Sequence, residues 1–109
     1  MGPTEAQTQE HRKAKRYKLD WPVCVWHEAT GKFYNGRSVN ISSNGALLRL
    51  PLTAPIRMAE GLEVNFPSPE GLAADRYPAK VFTSQVVRVN RPQSILDGQQ
   101  QVAVRFELS

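Results

Sequence analysis

From Tyr17 to Val25 the large apolar side chains fall on every second position: Tyr17, Leu19, Trp21, Val23 and Val25. A period of two belongs to a strand with one face buried. The segment therefore predicts a first strand, ended by the turn Glu28-Ala29-Thr30-Gly31. Residues 32–41 predict a second, more polar strand. Ser42-Ser43-Asn44-Gly45 follows, with the Asn-Gly pair of a tight hairpin turn. Ala46, Leu48, Leu50 and Leu52 then alternate as a third strand. Pro55 and Gly61 interrupt residues 53–61, which read as a crossing segment with room for one helical turn. Leu62, Val64 and Phe66 alternate with Glu63 and Asn65 as a short fourth strand, and residues 67–71 are a Pro-rich loop. A long fifth strand over residues 77–90 sets Val81, Val87 and Val89 on one parity and Phe82, Val86 and Arg88 on the other. Residues 91–98 close a hairpin, and Val102, Val104, Phe106 and Leu108 mark a sixth strand.

Six short strands punctuated by Gly and Pro, with no helical stretch of any length, predict an all-β fold: a small barrel or sandwich. A closed barrel has the advantage of leaving no strand edge open to association. Residues 1–10 are polar and carry no core-forming pattern, so they read as a mobile N-terminal tail. Residues 11–109 read as a single domain, a size that one hydrophobic core can support.

Charge sharpens the picture. Fourteen Lys and Arg against ten Asp and Glu give a net +4. Residues 11–18, His-Arg-Lys-Ala-Lys-Arg-Tyr-Lys, hold five of those cations and no acid, and taking them away from +4 leaves −1 for the rest. The basicity is local, and modest for a protein that coats DNA. Cys24 is the only cysteine, which excludes an intrachain disulfide and argues against a thiolate metal site. The longest apolar run, Val23 to Trp26, is far short of the ~18 residues of a membrane span. The opening Met-Gly-Pro-Thr-Glu-Ala-Gln lacks the apolar core of a secretion signal, so a cytoplasmic location is expected. His11, His27, Asp20, Asp75 and Asp97 show no catalytic or metal-ligand spacing, and no phosphate-binding glycine loop is present. An enzyme is not expected, nor a metal or cofactor.

Two local features carry chemistry. Arg12-Lys13-Ala14-Lys15-Arg16 places two arginines four apart just before the first strand. Arginine grips phosphate and guanine edges bidentately and stacks on bases, although such a stretch also serves as a plain solvated basic tail. Asn40-Ile41-Ser42-Ser43-Asn44-Gly45 offers an amide for a base edge, a hydroxyl for a phosphate and a glycine for a close turn. The plainer alternative is a hairpin whose Asn and Ser bond their own backbone.

Taken in order, Arg-x-x-x-Arg and then Asn-x-Ser-x-x-Gly in a β-rich chain resemble the PilZ domain, a family of bacterial receptors for cyclic di-GMP whose pattern is RxxxR followed by [D/N]xSxxG. Arg12 and Arg16 match the first part, and Asn40, Ser42 and Gly45 the second. The likeness runs from about Glu10 to Leu108. It implies a six-stranded antiparallel β-barrel with a flexible N-terminal arm, and cyclic di-GMP as ligand. By the same resemblance Arg12 and Arg16 would contact guanines and phosphates, Asn40 a guanine edge and Ser42 a phosphate, while Gly45 shapes the turn. Arg88 is the candidate for a further guanine contact from the fifth strand, and His11 stands where the family tunes binding of one nucleotide or a stacked pair. Asn40 replaces the Asp of many members, which implies weaker binding. A domain without a catalytic part must pass its signal to a downstream protein. Two other readings stay open: a PilZ-like protein-interaction adaptor with weak or no nucleotide binding, and a small β-barrel that binds nucleic acid through its basic arm.

Overall fold

The computed structural model describes residues 15–68, 79–91 and 98–107 of the chain. Seven strands follow in order: β1 (Tyr17–Lys18), β2 (Pro22–His27), β3 (Lys32–Ile41), β4 (Gly45–Pro51), β5 (Gly61–Phe66), β6 (Lys80–Asn90) and β7 (Gln99–Phe106). All pairings are antiparallel. The sheet runs β3-β2-β5-β6-β7-β4 and closes through β3–β4, giving a six-stranded barrel with β1 as an extra strand on β3. Among the described residues no helix is present, so none is long and apolar enough to cross a membrane.

The core follows the inward parity of the strands. Val25, Leu48, Leu50, Ile56, Leu62, Val64 and Val102 are wholly buried. At one end Phe82 stacks on Phe106 with ring centroids 4.3 Å apart, and Phe66 meets Phe82 edge-on at 5.8 Å. Each such side chain contributes about 1.5–3 kcal/mol of hydrophobic stabilisation.

The predicted first strand is broken in two. Val23 and Val25 point inward as expected, but Tyr17 is 61% exposed and Leu19 38%. Alternation identifies a strand; burial needs an opposing layer, and β1 lies outside the closed ring. The junction is pinned from within. Buried Ser38 accepts the Trp21 N–H at 3.0 Å, and its hydroxyl donates to the Leu19 carbonyl. The Trp21 indole N–H donates to the Pro67 carbonyl at 2.9 Å. The predicted tail, the start of the predicted fifth strand at Tyr77 and most of the 91–98 hairpin lie outside the described residues.

His27 continues the inward parity of β2 and is fully buried. Its Nε2 lies 2.8 Å from Glu60 Oε1 and its Nδ1 2.8 Å from Thr30 Oγ1. A carboxylate only accepts, so Nε2 carries a proton and donates it to Glu60. Burial pushes the Glu60 carboxyl up, but the hydrogen bonds from His27 and from the Arg57 N–H outweigh it and hold the carboxyl below its ordinary 4.5. Its stabilising effect is therefore complete above that value and lost as pH falls through the lower folded one. Melting curves against pH should show Glu60→Gln less stable than wild type at neutrality. The gap should close on acidification below the carboxylate range. An equal gap at all pH values would remove the ionised carboxylate from the account.

Residues 52–60 form no helical turn; they cap one end of the barrel with Ala54 and Ile56 fully buried. The Ala59 N–H donates to the Val86 carbonyl at 2.8 Å, and the Val86 N–H to the Glu60 carbonyl at 2.9 Å. These bonds hold exposed Ala59 at φ 70°. The left-handed region costs an L-residue about 1–2 kcal/mol, while glycine's extra unfolded-state freedom costs about 0.4–1 kcal/mol. Ala59→Gly should therefore stabilise the fold by about 0.5–1 kcal/mol in urea unfolding.

Candidate functional site

The turn carrying the second motif is built by its own serine. The Ser42 N–H donates to the Gly45 carbonyl at 2.8 Å, and Ser42 Oγ accepts the N–H groups of Asn44 and Gly45, each at 3.2 Å. The Phe106 N–H ties the Asn44 carbonyl to β7 at 2.7 Å. The tight turn expected at residues 42–45 forms, but without the left-handed Asn-Gly geometry, since neither Asn44 nor Gly45 has a positive φ. Gly45 instead opens β4, where a Cβ would stand 2.2 Å from the Val104 carbonyl oxygen. Close packing against β7 is what requires glycine.

Two β-bulges decide which side chains face outward. In the β3–β4 ladder Ser38 pairs with Leu48 and Asn40 with Leu47, so Val39 is the inserted residue. Ser38 and Leu48 are buried. Without the insertion Asn40 would share Ser38's inward side; with it, Asn40 joins the outward row of Leu47. In the β6–β7 ladder Val86 pairs with Val104 and Arg88 with Ala103, leaving Val87 as the insertion. Val86 is thus buried and Val89 packs on the core although their parities differ, and Val87 is 40% exposed. This corrects the uniform alternation predicted for that strand.

The consequence is one row across five strands: Lys18, Asn40, Leu47, Ala103 and Arg88 on β1, β3, β4, β7 and β6. At ~4.8 Å per strand step it spans roughly 19 Å. Half-buried Leu47 and Ala103 make an apolar floor between the polar ends. On one side lie Gly45, Arg105 and Gln85, with Arg105 Nη2 donating to Gln85 Oε1 at 3.2 Å. Arg16 directly precedes Tyr17, the partner of Ile41, so it lies just before the end of β1 that pairs beside the Ser42 turn. On the other side lie Arg37, Arg49, Gln101 and Asn90. These three rows contain no carboxylate. Among the described residues, Arg37 is the one arginine of these rows in an ion pair, with Asp20.

Of the residues singled out from sequence, Arg16, Asn40, Ser42, Gly45 and Arg88 gather on or beside this face, whereas Arg12 and His11 lie outside the described residues. Lys18, Leu47, Arg49, Ala103 and Arg105 were missed. Their signal appears once Asn40 is set outward and the register is followed across the sheet. Trp21 packs on the core, and Trp26 lies beside Phe33 with ring centroids 4.7 Å apart, on the β2–β3 surface beyond these rows. Among the described residues no group of three His, Cys, Asp or Glu side chains is placed to hold a metal.

Solved structures share the fold. The chain superposes on the inhibitor of motility MotI/DgrA from Bacillus subtilis with a TM-score of 0.68 at 19% identity, covering 89% of this chain and 42% of that one. It therefore spans less than half of the MotI chain. The PilZ domain of YcgR from Escherichia coli, solved with c-di-GMP, superposes with a TM-score of 0.62 at 14% identity, covering 87% of this chain and 76% of that one. No curated protein sequence matches. The family model for the PilZ domain matches residues 10–109, the span holding the arginine pair, the Asn40–Gly45 turn and every strand of the barrel, and the chain belongs to the PilZ domain family.

Proposed function

We propose that the chain is a receptor for cyclic di-GMP, bound on the outer face of β3, β4, β7 and β6. The observation that carries this reading is the register that sets Asn40, the Ser42–Gly45 turn, Arg16 and Arg88 around the Leu47–Ala103 floor. The ligand has two negative charges and two flat purines. An apolar floor suits the purine faces, and a rim rich in arginine suits both phosphates and base edges. Asn40, half-buried beside the floor, presents an amide to a guanine edge. Ser42 acts first by shaping the turn that presents Asn40. The YcgR PilZ domain, solved with c-di-GMP, supports the choice of ligand.

In this reading residues 11–109 act as one unit in the cytoplasm. Arg12 and Arg16 close on the nucleotide from the arm side, and His11 borders the first arginine. Ordering the arm costs conformational entropy and keeps affinity moderate. The ordered arm then offers a surface to a downstream protein. The test is calorimetric titration of cyclic di-GMP into the purified protein, with saturable heat expected. No heat, together with an unshifted melting temperature in excess nucleotide, would sink the receptor reading and leave the adaptor one.

A further inference from the structure

Two residues along β4 from Leu47, Arg49 points outward, exposed, opposite Gln101 of β7. Arg49, Gln99, Gln100 and Gln101 line a cavity of about 320 Å³, at the lower end of small-molecule sites. Gln100 serves only as its wall: it is 1% exposed, and its amide nitrogen donates to the Pro51 and Ala54 carbonyls at 2.8 and 2.7 Å. Gln99 and Gln101 fall on the outward parity and remain half-buried beside Arg49.

The electrostatics favour Arg49 over its neighbour. Arg37 stands directly across from it, but Arg37 Nε donates to Asp20 Oδ1, and Arg37 Nη2 to the Asp20 carbonyl at 3.3 Å. Among the described residues no carboxylate lies within ion-pair distance of Arg49. Among the described residues its guanidinium has no hydrogen-bond partner either. It is also a diagonal neighbour of Asn40 across the β3–β4 ladder, a separation of about 7–8 Å that long side chains bridge.

We infer that Arg49, with the amides of Gln99 and Gln101, reads a guanine base of the bound nucleotide and rejects adenine. The inference rests on the receptor reading above and adds a determinant of base selectivity outside both motifs. Guanine presents two acceptors, O6 and N7, on one edge, and the parallel N–H groups of arginine match them. Adenine replaces O6 with an amino donor, which faces the guanidinium unfavourably. The glutamine amides supply acceptors for the base N–H groups and donors beside them.

The test measures affinities of wild type, Arg49→Ala and Arg49→Lys for cyclic di-GMP and cyclic di-AMP by calorimetry, with melting temperatures as a check on folding. Arg49→Ala should weaken cyclic di-GMP binding about tenfold to a hundredfold and leave cyclic di-AMP binding unchanged or stronger. Arg49→Lys keeps the charge but loses the fork, so it should lose the same selectivity. If both nucleotides weaken equally, or the lysine variant keeps wild-type selectivity, Arg49 supplies only charge and base reading is overturned. Wild-type affinities in both variants overturn the inference alone. No cyclic di-GMP binding by the wild type overturns it together with the receptor reading.

Discussion

The double replacement Arg12→Ala with Arg16→Ala should abolish measurable cyclic di-GMP binding and leave the melting temperature of the free protein unchanged. Each arginine, in the proposed complex, makes charge-assisted hydrogen bonds worth about 1.5–3 kcal/mol. Losing one corresponds to roughly tenfold to more than a hundredfold in affinity, and losing both exceeds a hundredfold. Arg16 is exposed and precedes the first strand, so removing its side chain uncovers no core. Calorimetry and a thermal melt of the same preparations read the two halves of the expectation separately. A variant that binds as the wild type does would remove the RxxxR segment from the site. A melting temperature that drops by many degrees would assign the arginines to the fold instead. Replacement by lysine at both positions separates charge from geometry. It should restore little, because an ammonium cannot bond a phosphate or a guanine edge bidentately.

Gly45→Val is expected to be the most destabilising single change in the second motif, with a loss of about 3 kcal/mol or more in urea unfolding. A Cβ at position 45 meets the Val104 carbonyl oxygen at 2.2 Å, the Val104 carbonyl carbon at 3.2 Å and the Arg105 Cα at 3.3 Å. All three are backbone atoms, so no side chain can rotate away. Relief would require β4 to leave β7, with which it pairs from Gly45 to Pro51. Gly31→Ala is the natural control. Gly31 is exposed at φ 66°, and a Cβ there would meet only the Trp26 side chain, in ordinary contact at 3.9 Å, so the expected loss is only about 1–2 kcal/mol of backbone strain. Equal losses at the two sites would contradict the packing role of Gly45. Lost nucleotide binding in Gly45 variants would accordingly report a damaged barrel before any missing ligand contact.

Particular residues show how far sequence reading reached. Val23, Val25, Leu48, Leu50, Leu62, Val64 and Val102 were placed in the core by alternation, and all are buried. Tyr17 and Leu19 obey the same alternation and are exposed, because periodicity is local whereas burial depends on what lies opposite. His27 sat on the buried parity of β2, but its partner Glu60 is thirty-three residues away, beyond any local pattern. Asn40 stands out by its chemistry and its motif, and Arg88 by its place on the fifth strand with a parity opposite to Val87 and Val89. Nothing local says that an inserted residue beside each turns it outward, since bulges are settled by which cross-strand partners bury best. Arg49, Gln99 and Gln101 carry no motif, and only the β4–β7 register brings them together.

By itself, then, the sequence determined that this is an all-β chain of short strands, with a local basic segment before its first strand and the paired arginine and Asn-Ser-Gly motifs of its family. Those properties depend on side-chain type and on a two-residue period, which are readable one segment at a time. The tertiary structure alone decided the closure of β3 on β4, the two bulges, and the outer face that sets Asn40, Arg49, Arg88 and Arg105 around the Leu47–Ala103 floor. Those depend on register, and register is the joint outcome of burying many distant side chains at once.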